Sequence, residues 1–247
     1  MPKFFVNKEQ IENGYVTIRG EDAHHISRSL RMAAGERITV SDMQMTEYEC
    51  VLEEFLDGCV RAKIESERRA DTEPDIRIHL FQALPKGEKL DFVIQKSVEC
   101  GVYDITPFES DRCIVKFKAD AEERKKERRS KIALEAAKQS GRGMIPAVNS
   151  TLTFEQMLSE AKKSDAVIFC YEGEGTTPIG NILPEIKKNG VKDIAIIIGS
   201  EGGFSLCEAE AAEKNGFFKA GLGKRILRTE TAPLFALSCI VYEFELC

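Results

Sequence analysis

From residue 76 onward the chain alternates between short, β-branched apolar runs and helix-length segments. IRIHLFQAL, DAVIFCY and DIAIIIG are apolar on nearly every residue, and FFKAGL follows late in the chain. Between them lie segments with helical periodicity. In GEKLDFVIQKSVECG, residues Leu90, Val93, Ile94 and Val98 share one face at i, i+3, i+4 and i+8. Strands that are apolar on both faces and separated by helices pair in parallel, because each crossover helix covers one face of the sheet. The predicted fold class is α/β with a parallel sheet. DITPF and RCIV are predicted as further short strands, residues 120–140 as a charged helix with Glu122–Lys126 and Glu127–Lys131 pairs, and PIGNILPEIKK, SLCEAEAAEKN and PLFALSCIVYEFEL as helices.

The first 66 residues have a different rhythm. FFV, YVTI, RITVS, YECVLEEF and CVRAKIES alternate in short runs punctuated by Gly14, Gly20, Gly35 and Gly58. They predict a small, mostly antiparallel five-stranded barrel. DAHHISRSLRM is the exception: Ile26 and Leu30 stand at i, i+4 and Asp22 can cap, so a short helix is expected. ERRADTEPD is charged and aperiodic. It divides the chain into domains at 1–72 and 73–247.

Charge narrows the function classes. A net charge of −6 argues against nonspecific nucleic-acid binding, but residues 112–142 carry eleven Lys+Arg against five Asp+Glu. Any RNA contact is therefore a patch, although in EERKKERRSK acids interleave with bases as on a solvated helix face. The eight cysteines form no C-x-x-C pair, and the three histidines are not spaced as metal ligands. A reduced, cytoplasmic protein without metal is expected. No apolar run of about 18 residues occurs, so no membrane association is expected. MPKFFVNKEQ does not read as a signal peptide.

Three strands end in unusual loops: EGEGTTP after DAVIFCY, SEGGFS after DIAIIIG, and GKRILRTETA after FFKAGL. Ligands of parallel sheets bind beyond the carboxyl ends of the strands. Neighbouring strands would gather seven glycines at one place, where backbone can approach a ligand closely. Taken singly, each glycine also fits a helix cap or turn. No Walker A and no G-x-G-x-x-G motif is present, and Glu172, Glu174 and Glu201 would repel a pyrophosphate. An adenosine carrying a sulfonium centre fits better.

GSEGGFS, followed about twenty residues later by LGKRILRTETA, closely resembles the paired signature of the bacterial 16S ribosomal RNA uridine-N3 methyltransferases of the SPOUT superfamily. HHISRSLRMAAGERITVSD, LDFVIQKSVECGVYDITPF and ALEAAKQSGR are similar to further family segments, so the resemblance spans nearly the whole chain. One residue departs from it: Ser200 stands where the family usually has Pro, whose ring would fix φ of the turn. The resemblance implies an N-terminal PUA-like small β-barrel, a C-terminal SPOUT-type parallel sheet with a trefoil knot, a homodimer, and methyl transfer from S-adenosylmethionine to N3 of a uridine in 16S ribosomal RNA or the small subunit. Related enzymes that act on other RNAs or on a ribose 2′-hydroxyl are the alternative, with a nucleotide-dependent enzyme and a noncatalytic RNA-binding module further off.

The same resemblance assigns roles. Gly199, Glu201, Gly202, Leu222, Gly223, Ile226, Leu227 and Thr231 would contact the cofactor, mostly by backbone, with Tyr171 and Glu172 reaching its ribose or methionine side. Arg228 is the candidate for stabilising the uridine anion and Glu230 the candidate base, although an acid in a helix's first turn also suits the macrodipole. Thr229 and Thr231 also read as N-caps. From their charge and position rather than from the resemblance, Arg28, Arg31, Lys86, Arg112 and Arg142 are the candidate RNA contacts, with Gln139 near the substrate. His24 and His25 read as structural. The apolar residues Leu234, Phe235, Leu237, Ile240, Val241, Phe244 and Leu246 cover more than one face of the last helix, which agrees with a dimer interface.

Overall fold

The computed structural model describes residues 1–116 and 122–247. They form two compact units, Met1–Glu73 with Ala137–Ile145, and Pro74–Ala136 with Pro146–Cys247.

The first unit is built on a six-stranded sheet in the order β1-β4-β5-β6-β3-β2. Its strands are β1 (Lys3–Phe5), β2 (Ile11–Glu12), β3 (Tyr15–Arg19), β4 (Arg37–Ser41), β5 (Thr46–Leu56) and β6 (Cys59–Arg69). Strand β2 is one more than the sequence predicts. Asp57-Gly58 makes the two-residue turn between β5 and β6, with Gly58 at φ +76°. Alternate residues Val16, Ile18, Ile38, Val40, Cys50, Leu52, Val60 and Ala62 face a common core, closed by Ile26. Ile26 comes from the turn that extends α1 (Gly20–His24) through Ser29. Because that helix starts at Gly20, Asp22 lies in its first turn rather than at its cap, and its carboxylate accepts from Lys138 Nζ at 2.8 Å.

In the second unit every strand pairing is parallel. The sheet runs β10-β8-β7-β13-β11-β14-β12, with β9 also paired to β8. The strands are β7 (Arg77–Ala83), β8 (Asp104–Glu109), β9 (Ala147–Val148), β10 (Leu152–Thr153), β11 (Ala166–Cys170), β12 (Thr177–Pro178), β13 (Asp193–Ile198) and β14 (Phe218–Gly221). The helices are α2 (Lys89–Glu99), α3 (Glu122–Ser140, whose residues from Ala137 belong to the first unit), α4 (Phe154–Ala161), α5 (Ile179–Lys188), α6 (Leu206–Lys214) and α7 (Ala232–Val241), the last extended by one wider turn to Leu246. Strand β13 is central, and its residues Ile194–Ile198 are all buried, as expected for an apolar run covered on both faces.

Two sequence expectations are corrected. RCIV is turn and bend rather than a strand. Glu122 does not pair along its own helix with Lys126; it is buried, accepts from Thr151 Oγ1 at 2.7 Å, and lies 3.5 Å from Arg129. A buried carboxylate needs nearby donors, and Thr151 and Arg129 supply them. The Glu127–Lys131 pair does form, at 3.2 Å. Residues 120 and 121, where the charged helix was expected to begin, lie outside the described residues.

The path after β14 positions the site. From the sheet side beyond β11, residues 222–231 run back past the end of β13. They enter α7, which packs on β7, β13, α2 and α5.

Candidate active site

A cavity of about 510 Å³ opens at the carboxyl ends of β11, β13 and β14. Its walls come from the three glycine-rich loops. Gly199, Ser200, Glu201 and Gly203 line it from the β13 loop, Tyr171, Glu172 and Thr176 from the β11 loop, and Leu222 to Thr229 from the segment after β14.

The β13 loop is a tight turn. Gly203 N donates to Ser200 O at 2.9 Å, and Gly203 has φ +64°. Ser200 thus closes the turn by its backbone, while its buried Oγ has no hydrogen-bond partner among the described residues. A methyl group on Gly203 would overlap the Glu172 carboxylate. The next residue, Phe204, is 2% exposed and packs on Phe169 with ring centroids 4.2 Å apart, stacking also over Phe108 at 6.3 Å. The apolar core thereby anchors a glycine turn that has little stiffness of its own. Ser205 then caps α6 reciprocally with Glu208.

Thr229 ties the last segment to this turn. It is 5% exposed, donates from Oγ1 to Gly199 O at 2.7 Å, and accepts from Gln82 Nε2 at 3.1 Å. Its buried hydroxyl is therefore a cross-link rather than the N-cap its sequence position suggests. Thr231 occupies the N-cap position of α7, but with no side-chain cap bond.

The predicted site residues divide into two groups. Tyr171, Glu172, Gly199, Glu201, Leu222, Gly223, Ile226, Leu227 and Arg228 line the cavity. Gly202, Glu230 and Thr231 do not. Gly202 turns its carbonyl to Arg112, whose guanidinium donates to it at 2.9 Å. Thr231 N closes a turn onto Arg228 O at 2.8 Å. The Glu230 side chain sits behind the cavity wall, 18% exposed, with Oε2 3.4 Å from the Lys89 ammonium and Oε1 3.9 Å from Arg228. Lys89, Thr176 and Phe204 line the cavity without having been singled out in the sequence. Phe204 could have been noticed as the apolar residue ending the glycine turn. Lys89 carries no local signal.

Electrostatically the mouth is a compact ion cluster. Lys89 Nζ donates to Glu201 Oε1 at 2.9 Å, and Lys86 N donates to the same oxygen at 3.1 Å. The hydrogen bond to Glu201 holds the Lys89 ammonium above the ordinary lysine value. Partial burial pushes the Glu201 carboxyl up, but Lys89 and the backbone amides of Glu201 and Lys86 outweigh it, so its pKa falls below the usual range. Burial pushes the Cys170 thiol in the wall up to about 12, so it stays a neutral, inert thiol.

Of the candidate RNA contacts, Arg28 and Arg31 are exposed on the first unit, Arg31 with φ +52°. Arg142 is corrected: its side chain is 4% exposed and its Nε lies 2.9 Å and 3.0 Å from the two oxygens of Glu73. A guanidinium enclosed by a carboxylate in this way has no face to offer a phosphate. Among the described residues no cluster of three metal-capable side chains occurs, and no helix is long and apolar enough to cross a membrane.

Such a cavity offers backbone polar groups, an apolar lip and carboxylates to a small ligand bearing a positive centre. Residues 72–241 match the RNA methyltransferase domain model, and residues 18–54 the RNA methyltransferase PUA domain model. Over its full length the chain is 34% identical to ribosomal RNA small subunit methyltransferase E of Bacillus subtilis (strain 168), covering 98% of that protein. It is 35% identical to the protein of the same name from Mesomycoplasma hyopneumoniae (strain 232), covering 97% of this chain and 99% of that one. The crystal structure of a ribosomal RNA small subunit methyltransferase E from Neisseria gonorrhoeae bound to S-adenosyl methionine superposes with a TM-score of 0.85 at 30% identity, over 98% of this chain and 97% of that one. The architecture is thus a PUA-like unit joined to a parallel α/β methyltransferase unit, and the chain belongs to the RNA methyltransferase family, among relatives named ribosomal RNA small subunit methyltransferase E.

Proposed function

We propose that this protein transfers the methyl group of S-adenosylmethionine to N3 of a uridine in small-subunit (16S) ribosomal RNA. The observation that carries the reading is the cavity itself, in which the GSEGGFS turn and the LGKRILRTETA segment are joined through Thr229. Its volume suits a nucleoside-sized ligand, since small-molecule sites run from roughly 300 to 1,000 Å³. The residues present fit the cofactor. Leu222, Ile226 and Leu227 offer an apolar wall for an adenine ring, and Ile226 is 91% exposed at the lip. Glu172 and Glu201 on the cavity wall would offer carboxylates to the cofactor's cationic centre, and the glycines at 199, 203 and 223 would keep the backbone open to it. When bound, S-adenosylmethionine supplies an electrophilic methyl on its sulfonium.

The protein's own groups do the rest. Turn and segment hold the donor side in place, which supplies alignment. Arg228 lines the cavity with its side chain 84% exposed, which supports a role in meeting a uracil carbonyl as N3 loses its proton. Gly202 and Thr231 act by shaping the loop. Arg28, Arg31, Lys86 and Arg112 are the phosphate contacts in this reading; Arg142 is structural.

The return of residues 222–231 past the end of β13 before α7 re-enters the sheet centre supports a trefoil knot of the SPOUT type. The exposed Phe235, Tyr242 and Leu246 on α7 and its last turn support burial against a second copy. The free thiols support a reducing, cytoplasmic setting.

The test is methyl transfer from labelled donor to small ribosomal subunits lacking their own modifications, with the product nucleoside identified by mass and retention. N3-methyluridine at one site is expected. A 2′-O-methyl product, or donor binding without transfer, refutes the N3 assignment. Arg228→Ala is expected to lose turnover while retaining donor affinity by calorimetry. An equal fall in both refutes the division of labour.

A further inference from the structure

Lys89 occupies a place that the roles above leave unexplained. It is the first residue of α2, and it lines the cavity. Its ammonium is 2.9 Å from Glu201 Oε1 and 3.4 Å from Glu230 Oε2. Glu230 does not line the cavity, and its buried Oε2 makes no hydrogen bond of good geometry among the described residues beyond the ion pair with Lys89. A buried carboxylate oxygen needs a donor, and the Lys89 ammonium is the cation beside this one. Lys89 thus stands between the cavity and the Glu230 carboxylate that it contacts.

We propose that Lys89 is a catalytic residue that relays the N3 proton of the target uridine to Glu230. The inference rests on the N3 methyl-transfer reading. In the balanced step the N3–H bond breaks and its electron pair stays on N3. That pair forms the new N–CH3 bond, while the pair of the broken S–CH3 bond remains on sulfur. Lys89 passes one ammonium proton to Glu230 Oε2 and takes the N3 proton in exchange. Lysine ends as it began, and glutamate ends neutral.

The charge count favours this route. Glu201, Lys89 and Glu230 together carry one net negative charge at rest. Once the proton reaches Glu230 they carry none, as the uracil ring would otherwise gain negative charge. The other charged groups around the cluster are Arg228, 3.9 Å from Glu230 Oε1, and Glu172, Lys224 and Arg225 on the cavity wall. From the α2 side, Lys86 holds Glu201 through its amide, Glu88 precedes the helix, and Asp91 is paired with Arg128. Arg228 cannot serve as the relay, because a guanidinium does not give up its proton in proteins.

Lys89→Arg is the discriminating variant: it keeps the charge and abolishes the relay. Lys89→Met and Glu230→Gln accompany it, with donor affinity by calorimetry reporting an intact cavity. Turnover is measured from neutral to high pH on target RNA carrying uridine or 5-fluorouridine, whose N3–H is more acidic. All three variants are expected to lose at least about tenfold in kcat at neutral pH with little change in KM. The loss should shrink as pH rises and on the 5-fluorouridine RNA. A readout without methyl donor is ¹⁹F NMR of bound 5-fluorouridine RNA: the wild-type complex should ionise the ring at lower pH than free RNA, and the Lys89→Met complex should not. Wild-type turnover in Lys89→Arg, a loss equal at every pH and on both RNAs, or identical ring titrations would overturn the relay alone. Absence of N3-methyluridine from the wild-type reaction would refute the functional reading and the relay with it.

Discussion

Thr229→Val tests how the cofactor-side loops are held together. Valine keeps the shape of threonine and removes the hydroxyl. That hydroxyl makes two bonds, to Gly199 O at 2.7 Å and from Gln82 Nε2 at 3.1 Å, and both side chains are buried, at 5% and 0% exposure. Gln82 Nε2 keeps the Ala83 carbonyl at 3.0 Å, and its contact to Gly199 O is long at 3.4 Å. Each lost bond is worth about 1 kcal/mol, and a buried carbonyl left short of a donor costs about 1–3 kcal/mol. With Gln82 partly compensated, the expected destabilisation is about 2–3 kcal/mol. In a domain of 150–250 residues that corresponds to a fall in Tm of about 4–12 °C by scanning calorimetry. Donor affinity should fall as well, because turn and segment are no longer cross-linked, and Thr229→Ser should restore both readouts. A valine variant within about 0.5 kcal/mol of wild type, with unchanged donor affinity, would refute the clamp.

Gly203→Ala places a methyl group against the Glu172 carboxylate at φ +64°, so donor binding should weaken at least about tenfold by calorimetry; unchanged binding would mean the turn is not the cradle. His79 lies 3.0 Å from Asp104 and 3.2 Å from Asp193; burial is the largest influence and lowers its pKa, but the two carboxylates outweigh it and the net shift is upward. Its contribution is then fully present below the unfolded value of 6.5 and lost as pH rises through the higher folded value, so His79→Gln should cost more stability at pH 5.5 than at pH 8.5 in urea unfolding; an equal cost would refute the pairing. Replacing Arg28 and Arg31 together by Ala should flatten the log–log salt dependence of RNA binding by about 0.7 per lost single-strand phosphate contact, and an unchanged slope would remove them from the interface.

Some of this was legible in the residues alone, for local reasons. Apolar runs such as DIAIIIG and the periodic face of GEKLDFVIQKSVECG set element type, because side-chain direction repeats every two residues in a strand and about every 3.6 in a helix. RCIV misled because a four-residue apolar run has too little period to choose a state. Arg142 misled because a cation at a helix end looks solvated. Its partner Glu73 lies 69 residues away, and burial of the pair depends on where those segments meet.

The sequence by itself determined the long apolar strands and the periodic helices, though not the short strands β2, β9, β10 and β12 or helix α4, together with the glycine turns and, through the spacing of GSEGGFS and LGKRILRTETA, the family. Only the tertiary structure decided which residues share the cavity. The order β7-β13-β11-β14 brings together carboxyl ends that are far apart along the chain. The segment after β14 then turns Leu222 and Arg228 toward the cavity and Glu230 away from it. Lys89 meets Glu201 across 112 residues. Strand neighbours and register follow from burying apolar faces across the whole sheet, so no local window encodes that meeting.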